Sequence, residues 1–177
     1  KEYIMGYDLI NSKGFFRFNF YEWRCVLTLA KHYGWEPMGT VMPEETAKLL
    51  MGDRGSDEEG VQGFIQNWEG NYDSNSHQLV VKEDALNLAL ALMKAMEVLP
   101  DERSIVDEFS TNVSIDDIKN SSCSDEDIMS AVAEIIFRGN EKSIDPLSAI
   151  NCFSGLESKI YLGKFIQYCM HGGFDIT

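Results

Sequence analysis

The segment that most constrains the fold of this chain runs from Glu83 to Leu99 and reads EDALNLALALMKAMEVL. Its residues are strong helix formers, and the acidic residues in its first turn complement the helix dipole. Apolar residues occur on nearly every face of the predicted helix, and such a helix is normally surrounded by other elements. We therefore expect this helix to be the central element of the fold and to end at Pro100.

A second helix has both of its ends encoded locally. Asn19 is a suitable N-cap, and Glu22, three positions later, can complete a capping box. Gly34 provides a left-handed stop and Pro37 follows it, so the pattern predicts a helix from about Phe20 to Tyr33. Ahead of this helix, phenylalanines that alternate with polar residues follow the turn sequence NSKG, which indicates a short β-hairpin.

The remaining segments give weaker signals. Residues 38–75 are rich in Gly, Asp and Glu and predict a long loop, with a helical turn at Pro43–Met51. The run QLVV at 78–81 predicts a short extended segment. Further helices are predicted near residues 101–109, from Ser124 to Gly139, and from Leu156 to His171. After the last of these, Phe174 and Ile176 are expected to fold back onto the core.

These patterns together predict a mainly α protein in which residues 1–177 form a single domain, a bundle-like fold of about four helices with a small β-hairpin at the N-terminus. The content of 44% hydrophobic residues is sufficient for one core. No run approaches the roughly 20 uninterrupted apolar residues of a membrane span, so no membrane association is expected. No secretory signal is visible at the start of the sequence, although a removed leader stays an open alternative because the first residue is Lys.

The four cysteines favour a reduced, cytoplasmic setting. They have neither CxxC nor CxC spacing, and they occur at Cys25, Cys123, Cys152 and Cys169. Without paired Cys or His spacing, a structural zinc site is not expected.

The search for catalytic and metal motifs is largely negative. The sequence lacks GxGxxG, GxxxxGK[ST], HExxH and GxSxG, which mark common nucleotide, phosphate, zinc-protease and serine-hydrolase sites. A calcium loop starting at Asp73 fails because Gln78 replaces the required glycine and Asp84 replaces the bidentate Glu. Pairs of Cys25 or Cys169 with His32 or His171 have no spacing typical of a nucleophile and its base. We therefore predict a protein without catalytic residues, metal or cofactor.

Aromatic and arginine residues crowd the first third of the chain and the loop that follows. Packing in the core is the usual role of such aromatics, and a ligand pocket with aromatic walls and polar anchors is the alternative. The candidate ligand-binding residues are Arg17, Arg24, Trp35, Trp68 and Tyr72.

The net charge of −14 is carried entirely by the middle of the chain, between Leu49 and Pro146. Such charge usually belongs to a solvated face that aids solubility. The functional alternative is a negative field that steers a basic partner, whereas direct binding to nucleic acid is disfavoured because it depends on Lys and Arg. The candidate partner-binding residues are Asp53, Asp57, Glu58, Glu59, Asp116, Asp117, Asp125 and Glu126.

Three runs carry a resemblance: FFRFNFYEWRCVLTLAKHYGWEPMGT, WEGNYDSNSHQLVVKEDALNLALAL and FIQYCMHGGFDI. They resemble a recurrent pattern among small bacterial and phage-borne proteins that have no established activity. In similar proteins a Ser or Thr often stands where this sequence has Lys82. The resemblance transfers no catalytic residue and implies a cytoplasmic bacterial accessory protein. Together with the acidity it predicts a non-enzymatic protein of the immunity, anti-defence or regulatory type that binds a basic partner. The rival hypothesis is a small-molecule-binding protein or an enzyme that uses the aromatic and arginine cluster.

Overall fold

The chain folds into a mixed α/β arrangement in which helices cover one face of a four-stranded antiparallel sheet. The computed structural model describes residues 6–52, 57–102 and 144–177. The strands are β1 Gly6–Asn11, β2 Gly14–Asn19, β3 Gln78–Val80 and β4 Phe174–Ile176. The helices of the described ranges are α1 Phe20–His32, α2 Glu44–Met51, α3 Glu58–Gln66, α4 Lys82–Met96, α5 Pro146–Phe153 and α6 Leu156–Met170.

The prediction of a mainly α, bundle-like fold is wrong, because the predicted hairpin is extended into a sheet with strand order β2-β1-β4-β3. The hairpin itself is confirmed by antiparallel pairing from Gly6 opposite Asn19 to Asn11 opposite Gly14. The other two strands have three residues each, too few to produce a clear alternation in the sequence. Their pairing joins segments that are far apart along the chain.

Side-chain alternation gives this sheet a covered face and an outer face. The covered face carries Tyr7, Leu9, Phe18, Val80, Phe174 and Ile176, all of them buried. α1 and α6 pack against it, and the ring of Trp23 from α1 lies 5.9 Å from Phe18 and 6.4 Å from Phe174. The outer face carries Asp8, Ile10, Phe15, Arg17, Leu79 and Asp175. This face, which the sequence did not predict, contributes to the site described below.

The helix with locally encoded ends is confirmed as α1. The Asn19 side chain accepts a hydrogen bond of 2.8 Å from the backbone N–H of Glu22, and the Glu22 carboxylate accepts one of 3.0 Å from the backbone N–H of Asn19. Gly34 adopts a φ of +95°, a left-handed conformation that favours glycine. The predicted helical turn at Pro43–Met51 and the helix from Leu156 are also present, as α2 and α6.

The central helix is present as α4 and contacts both α1 and α6, but it is not buried on all sides. Its buried face consists of Asp84, Ala85, Leu88, Ala89, Ala91, Leu92 and Ala95. Leu90 and Met93 are 56% and 45% exposed. One apolar edge of α4 is therefore in contact with solvent.

Two helices were not predicted. α3 forms inside the expected loop because Asp57 caps it, with its carboxylate accepting from the N–H of Gly60, and because Val61 is buried in a small apolar cluster with Met42 and Ala47. α5 begins after Asp145, whose carboxylate accepts hydrogen bonds from the first turn. The helices predicted near 101–109 and from Ser124 to Gly139 fall largely or wholly on residues outside the described ranges. That residues 1–177 form one domain stays a prediction.

Replacing Gly173 with alanine is expected to destabilise the fold by about 2–3 kcal/mol, because there is no room for a Cβ atom at the start of β4. A Cβ built on Gly173 lies 2.3 Å from the carbonyl oxygen of Val80 and 3.0 Å from the backbone nitrogen of Lys82. Both obstacles are backbone atoms, so the strand and the start of α4 would have to separate. Urea unfolding followed by circular dichroism measures the loss.

Gly163 provides the matched control for this substitution. It lies inside α6, and a Cβ there meets its nearest atom, the methyl carbon of Met96, at 3.9 Å. Gly163→Ala should therefore stabilise the protein by about 0.5–1 kcal/mol, the usual advantage of alanine within a helix. Equal unfolding midpoints for the two variants would contradict the close approach at Gly173.

Candidate functional site

A cavity of about 490 Å³ opens between the start of α2 and the edge of the sheet formed by β3. Most of its lining side chains are polar or charged. The lining residues are Pro43, Glu44, Glu45, Thr46, Lys48, His77 and Asp175. We refer to the cavity lined by these residues as the acidic cavity.

Two backbone features bring the start of α2 to the sheet. Val41 forms an isolated antiparallel bridge with Leu79 of β3, with both N–H···O distances at 2.8 Å. Pro43 then occupies the N-cap position of α2, and Ala47 anchors the helix through its burial in the small apolar cluster. The first turn of α2, with Glu44 and Glu45, is therefore held beside β3.

The opposite wall of the acidic cavity is formed by His77 and Asp175. Asp175 is the central residue of β4, and its alternation places its side chain on the outer face of the sheet, opposite Leu79 and Ile10. His77 directly precedes β3 and has a φ of +54°, a conformation that non-glycine residues adopt rarely and at some energetic cost. The backbone thus holds a strained residue at the cavity wall.

The cavity has an excess of negative charge. Burial raises the pKa of the Asp175 carboxyl, and the charge of the nearby His77 acts in the opposite direction with a smaller effect. The Lys48 ammonium lies 2.5 Å from the Glu44 carboxylate. That hydrogen bond, followed by the charges of Glu44, Glu45 and Glu58, raises the pKa of Lys48. The basic side chain of Lys48 is therefore already paired, whereas Glu45 and Asp175 add negative charge.

Replacing Asp175 with asparagine is expected to stabilise the protein at pH 7. Since folding raises the pKa of this carboxyl, its ionised form is disfavoured in the folded state, and this cost disappears as the pH falls through the raised pKa. The gain in the free energy of unfolding should therefore be present at pH 7 and absent near pH 3. Urea unfolding of both proteins at the two pH values measures it.

Asp8→Asn serves as the control for removing one carboxylate from this highly acidic chain. Asp8 lies on the same outer face, but its carboxylate pairs with the Arg17 guanidinium at 3.2 Å, so its removal should not stabilise the protein. If both variants gain equally at pH 7, net charge rather than burial explains the effect. If Asp175→Asn gains nothing, the burial penalty at Asp175 is refuted.

The predicted ligand-binding residues Trp35 and Tyr72 lie together, but inside the core. Their ring centroids are 5.1 Å apart and both side chains are buried. The indole N–H of Trp35 donates to Asp84 at 2.8 Å, and the Tyr72 hydroxyl donates to the other oxygen of the same carboxylate. Their polar atoms are thus used in a buried network with Asp84, whose functional or structural importance the sequence did not indicate.

The other three predicted ligand-binding residues are dispersed. The Trp68 indole N–H donates to the Thr40 hydroxyl at 3.1 Å, and its ring packs against the small apolar cluster. Arg17 lies on β2, at the opposite edge of the sheet from β3, and its guanidinium pairs with Asp8 of β1. Arg24 lies on α1, half-buried and close enough to Tyr7 to influence its pKa. The structure therefore brings together Trp35 and Tyr72 but places the arginines on other elements.

Three of the predicted partner-binding residues can be placed. Asp57, Glu58 and Glu59 form the N-cap and first turn of α3, a helix that contacts α2. They extend the negative charge of the acidic cavity, since Glu58 is close enough to raise the pKa of Lys48. The other predicted partner-binding residues, Asp53, Asp116, Asp117, Asp125 and Glu126, lie outside the described residues.

The residues that line the cavity were missed by the sequence analysis. Glu44, Glu45 and Asp175 lie in the two end regions of the chain, where acidic and basic residues balance. Of the bases in the first of these regions, Lys48 lies on α2 and is paired with Glu44, whereas Lys13 and Arg17 lie on the hairpin, away from α2. The available signal was the pair of glutamates after Pro43, which marks a helix start, but nothing local connects it to Asp175.

In the part of the chain that the structure describes, no group of three or more His, Cys, Asp or Glu side chains is arranged to hold a metal ion. Among the helices of these ranges, none combines the length and apolar character needed to cross a bilayer. No protein-family model matches the chain, and neither a curated protein nor a solved structure matches it. The fold and the cavity define an α/β protein with an acidic concave surface, and the resemblance to small bacterial and phage-borne proteins stays a prediction.

Proposed function

We propose that this protein is a non-enzymatic accessory protein that binds a basic macromolecular partner through the acidic cavity. The observation that carries the proposal is the concentration of the Glu44, Glu45 and Asp175 carboxylates around one cavity in which Lys48 is already paired. An immunity, anti-defence or regulatory protein would use such a surface to occupy a positively charged region of its target.

The size and chemistry of the cavity suit a basic side chain from a partner. A volume of about 490 Å³ accommodates a lysine or arginine side chain with some of its neighbours. A guanidinium that enters beside Asp175 would meet a carboxylate whose burial raises its pKa. Pairing would relieve that penalty, because an opposite charge within a few ångströms favours the ionised form. The burial of the ionised Asp175 carboxylate destabilises the unbound protein, and a basic side chain that relieves this burial penalty would bind more tightly.

The first turn of α3 supports the same proposal at longer range. Asp57, Glu58 and Glu59 are all solvent-exposed, at the N-cap and first turn of a helix that packs against α2. Clustered surface charge of one sign accelerates association with an oppositely charged partner and makes it sensitive to salt. The cavity would provide the anchoring contact, and the α3 carboxylates would steer the approach.

The small-molecule alternative receives less support from the geometry. Its aromatic candidates Trp35 and Tyr72 are buried in the core with Asp84, and Arg17 is paired with Asp8 on the far edge of the sheet. We therefore do not propose a ligand site at these residues.

A comparison of two charge-matched triple variants tests the proposed function. The first, Glu44→Gln/Glu45→Gln/Asp175→Asn, removes three carboxylates from the cavity. The second, Glu36→Gln/Glu97→Gln/Glu157→Gln, removes three exposed carboxylates from other elements. Each protein and the wild type are immobilised, exposed to bacterial lysate and eluted with a salt gradient. The retained proteins are then purified and titrated against each variant.

A basic protein should be retained by the wild type and by the second triple variant, and its affinity should fall roughly tenfold or more for the first. Equal losses for both triple variants would reduce the interaction to non-specific attraction by the net charge. Retention that is unaffected by the cavity substitutions, or no retained protein at low salt, would contradict the proposal.

A further inference from the structure

Two cysteine thiols meet across the interface between α1 and α5. Cys25 lies on the buried face of α1, and Cys152 lies near the end of α5, partly buried against the same core. The two helices pack against each other, and a hydrogen bond joins the two thiols. The hydroxyl of Tyr21, one helical turn before Cys25, also hydrogen-bonds to the Cys25 sulfur.

We propose that Cys25 and Cys152 are a dithiol site that oxidises to a disulfide linking α1 to α5 when the protein encounters a low-molecular-weight disulfide such as oxidised glutathione. The two cysteines lie on helices that pack against each other, and their thiols are close enough to interact. Bond formation requires the sulfurs to close to about 2.05 Å, and the cysteine Cα atoms of a disulfide are commonly about 5.5–6 Å apart.

The exposure of the two thiols sets the order of the reaction. Cys152 is half-buried and accessible, whereas Cys25 is buried. The Cys152 thiolate attacks one sulfur of oxidised glutathione, the glutathione S–S bond breaks, and one glutathione thiolate leaves with a mixed disulfide at Cys152. The Cys25 thiolate then attacks the Cys152 sulfur and displaces the second glutathione thiolate. Two thiols are oxidised, one glutathione disulfide is reduced to two thiols, and the two thiol protons pass to the leaving thiolates.

The second step should be the slower one. The hydrogen bond to Cys152 and burial raise the pKa of the Cys25 thiol, so little thiolate is present at neutral pH. Formation of the mixed disulfide removes the Cys152 thiol as a hydrogen-bond partner of Cys25. In a reducing compartment the pair remains as two thiols, and the disulfide forms only when the pool of small disulfides rises.

The bond would close a long loop between the first and second halves of the chain. A disulfide that closes a loop of this length constrains the unfolded state, so the melting temperature of the oxidised protein should rise by about 5–15 °C. This inference does not depend on the acidic cavity, which neither cysteine lines.

The test exposes the folded protein to oxidised glutathione at pH 8 and then blocks the remaining thiols with an alkylating agent. Intact mass and non-reduced tryptic peptides are analysed. The expected product has lost two hydrogen atoms and contains a linked Cys25–Cys152 peptide, with Cys169 alkylated only after denaturation. Its melting temperature rises and returns to the starting value after reduction. Cys152→Ala should abolish both the link and the rise in melting temperature.

Three results would overturn the proposal: a glutathione adduct on Cys152 that never resolves, a link from Cys152 to Cys123, or unchanged oxidation in Cys152→Ala. Cys25→Ala provides a second variant, in which the glutathione adduct on Cys152 should accumulate instead of the internal bond. Because Cys152 is partly exposed, its alanine variant tests the site even if Cys25→Ala fails to fold. Cys169→Ala is the control and should form the link as the wild type does.

Discussion

Replacing Asp84 with alanine is expected to lower the free energy of unfolding by about 3–5 kcal/mol, a large share of the stability of a typical domain. The Asp84 carboxylate is fully buried in the first turn of α4. One of its oxygens accepts from the Trp35 indole N–H at 2.8 Å and from the backbone N–H of Met38 at 3.3 Å, and the other accepts from the Tyr72 hydroxyl. Alanine would leave these donors without an acceptor.

The network also has a second layer, because the Tyr72 hydroxyl accepts a hydrogen bond of 2.9 Å from the backbone N–H of Gly39. Burial, followed by the hydrogen bond to Asp84 and its charge, raises the pKa of Tyr72, so the hydroxyl keeps its proton and remains a donor. Loss of the carboxylate would therefore loosen the segment that leads to Val41 and the acidic cavity. A binding defect in Asp84→Ala would be secondary to this loosening.

Two further variants separate the network from general effects at the start of α4. Asp84→Asn retains one acceptor oxygen and should lose about 1–2 kcal/mol. Glu83→Ala alters the exposed neighbouring position and should change the stability by about 0.5 kcal/mol or less. Urea unfolding by circular dichroism gives all three values. If Asp84→Ala unfolds at the same midpoint as Glu83→Ala, the buried network does not stabilise the fold.

Replacing Trp23 with alanine is expected to cost about 3–5 kcal/mol, the range for removing a fully buried aromatic side chain. Trp23 connects α1 with the sheet and α6: its ring centroid lies 5.9 Å from Phe18, 6.0 Å from Phe165 and 6.4 Å from Phe174. Its indole N–H donates to the backbone carbonyl of Tyr72 at 2.8 Å. The substitution therefore opens a cavity and leaves a buried carbonyl without its donor.

Trp23→Phe separates the contribution of the hydrogen bond from the contribution of aromatic packing. It retains most of the aromatic contact but removes the indole N–H, so about 1–2 kcal/mol should be lost. Phe15→Ala is the control: it removes a side chain of β2 that is 66% exposed, so it should have almost no effect on the stability. Circular dichroism is the preferred readout because the variants differ in tryptophan fluorescence. A loss below about 1 kcal/mol for Trp23→Ala would show that the core rearranges around the gap.

Some elements were predictable because their determinants lie within a few neighbouring residues. The capping box of Asn19 and Glu22 and the left-handed Gly34 determine both ends of α1 through local hydrogen bonds. α5 had the same kind of signal, an N-cap Asp145 followed by Pro146, and could have been predicted from it. α3 could not, since Gly60 and Gly63 weaken its helical tendency and the burial of Val61 among distant apolar residues stabilises it.

The sequence by itself determined α1, α4 and α6 through their caps, stops and apolar periodicity, together with the N-terminal hairpin and the acidity of the chain. The tertiary structure alone decided that β4 lies between β1 and β3 and that Asp175 therefore faces the start of α2. It also decided that Trp35 and Tyr72 serve the core through Asp84 and that Cys25 meets Cys152. The physical reason is range: capping and side-chain periodicity act over a few residues, whereas strand pairing, burial and charge clustering join residues that only the folded chain makes neighbours.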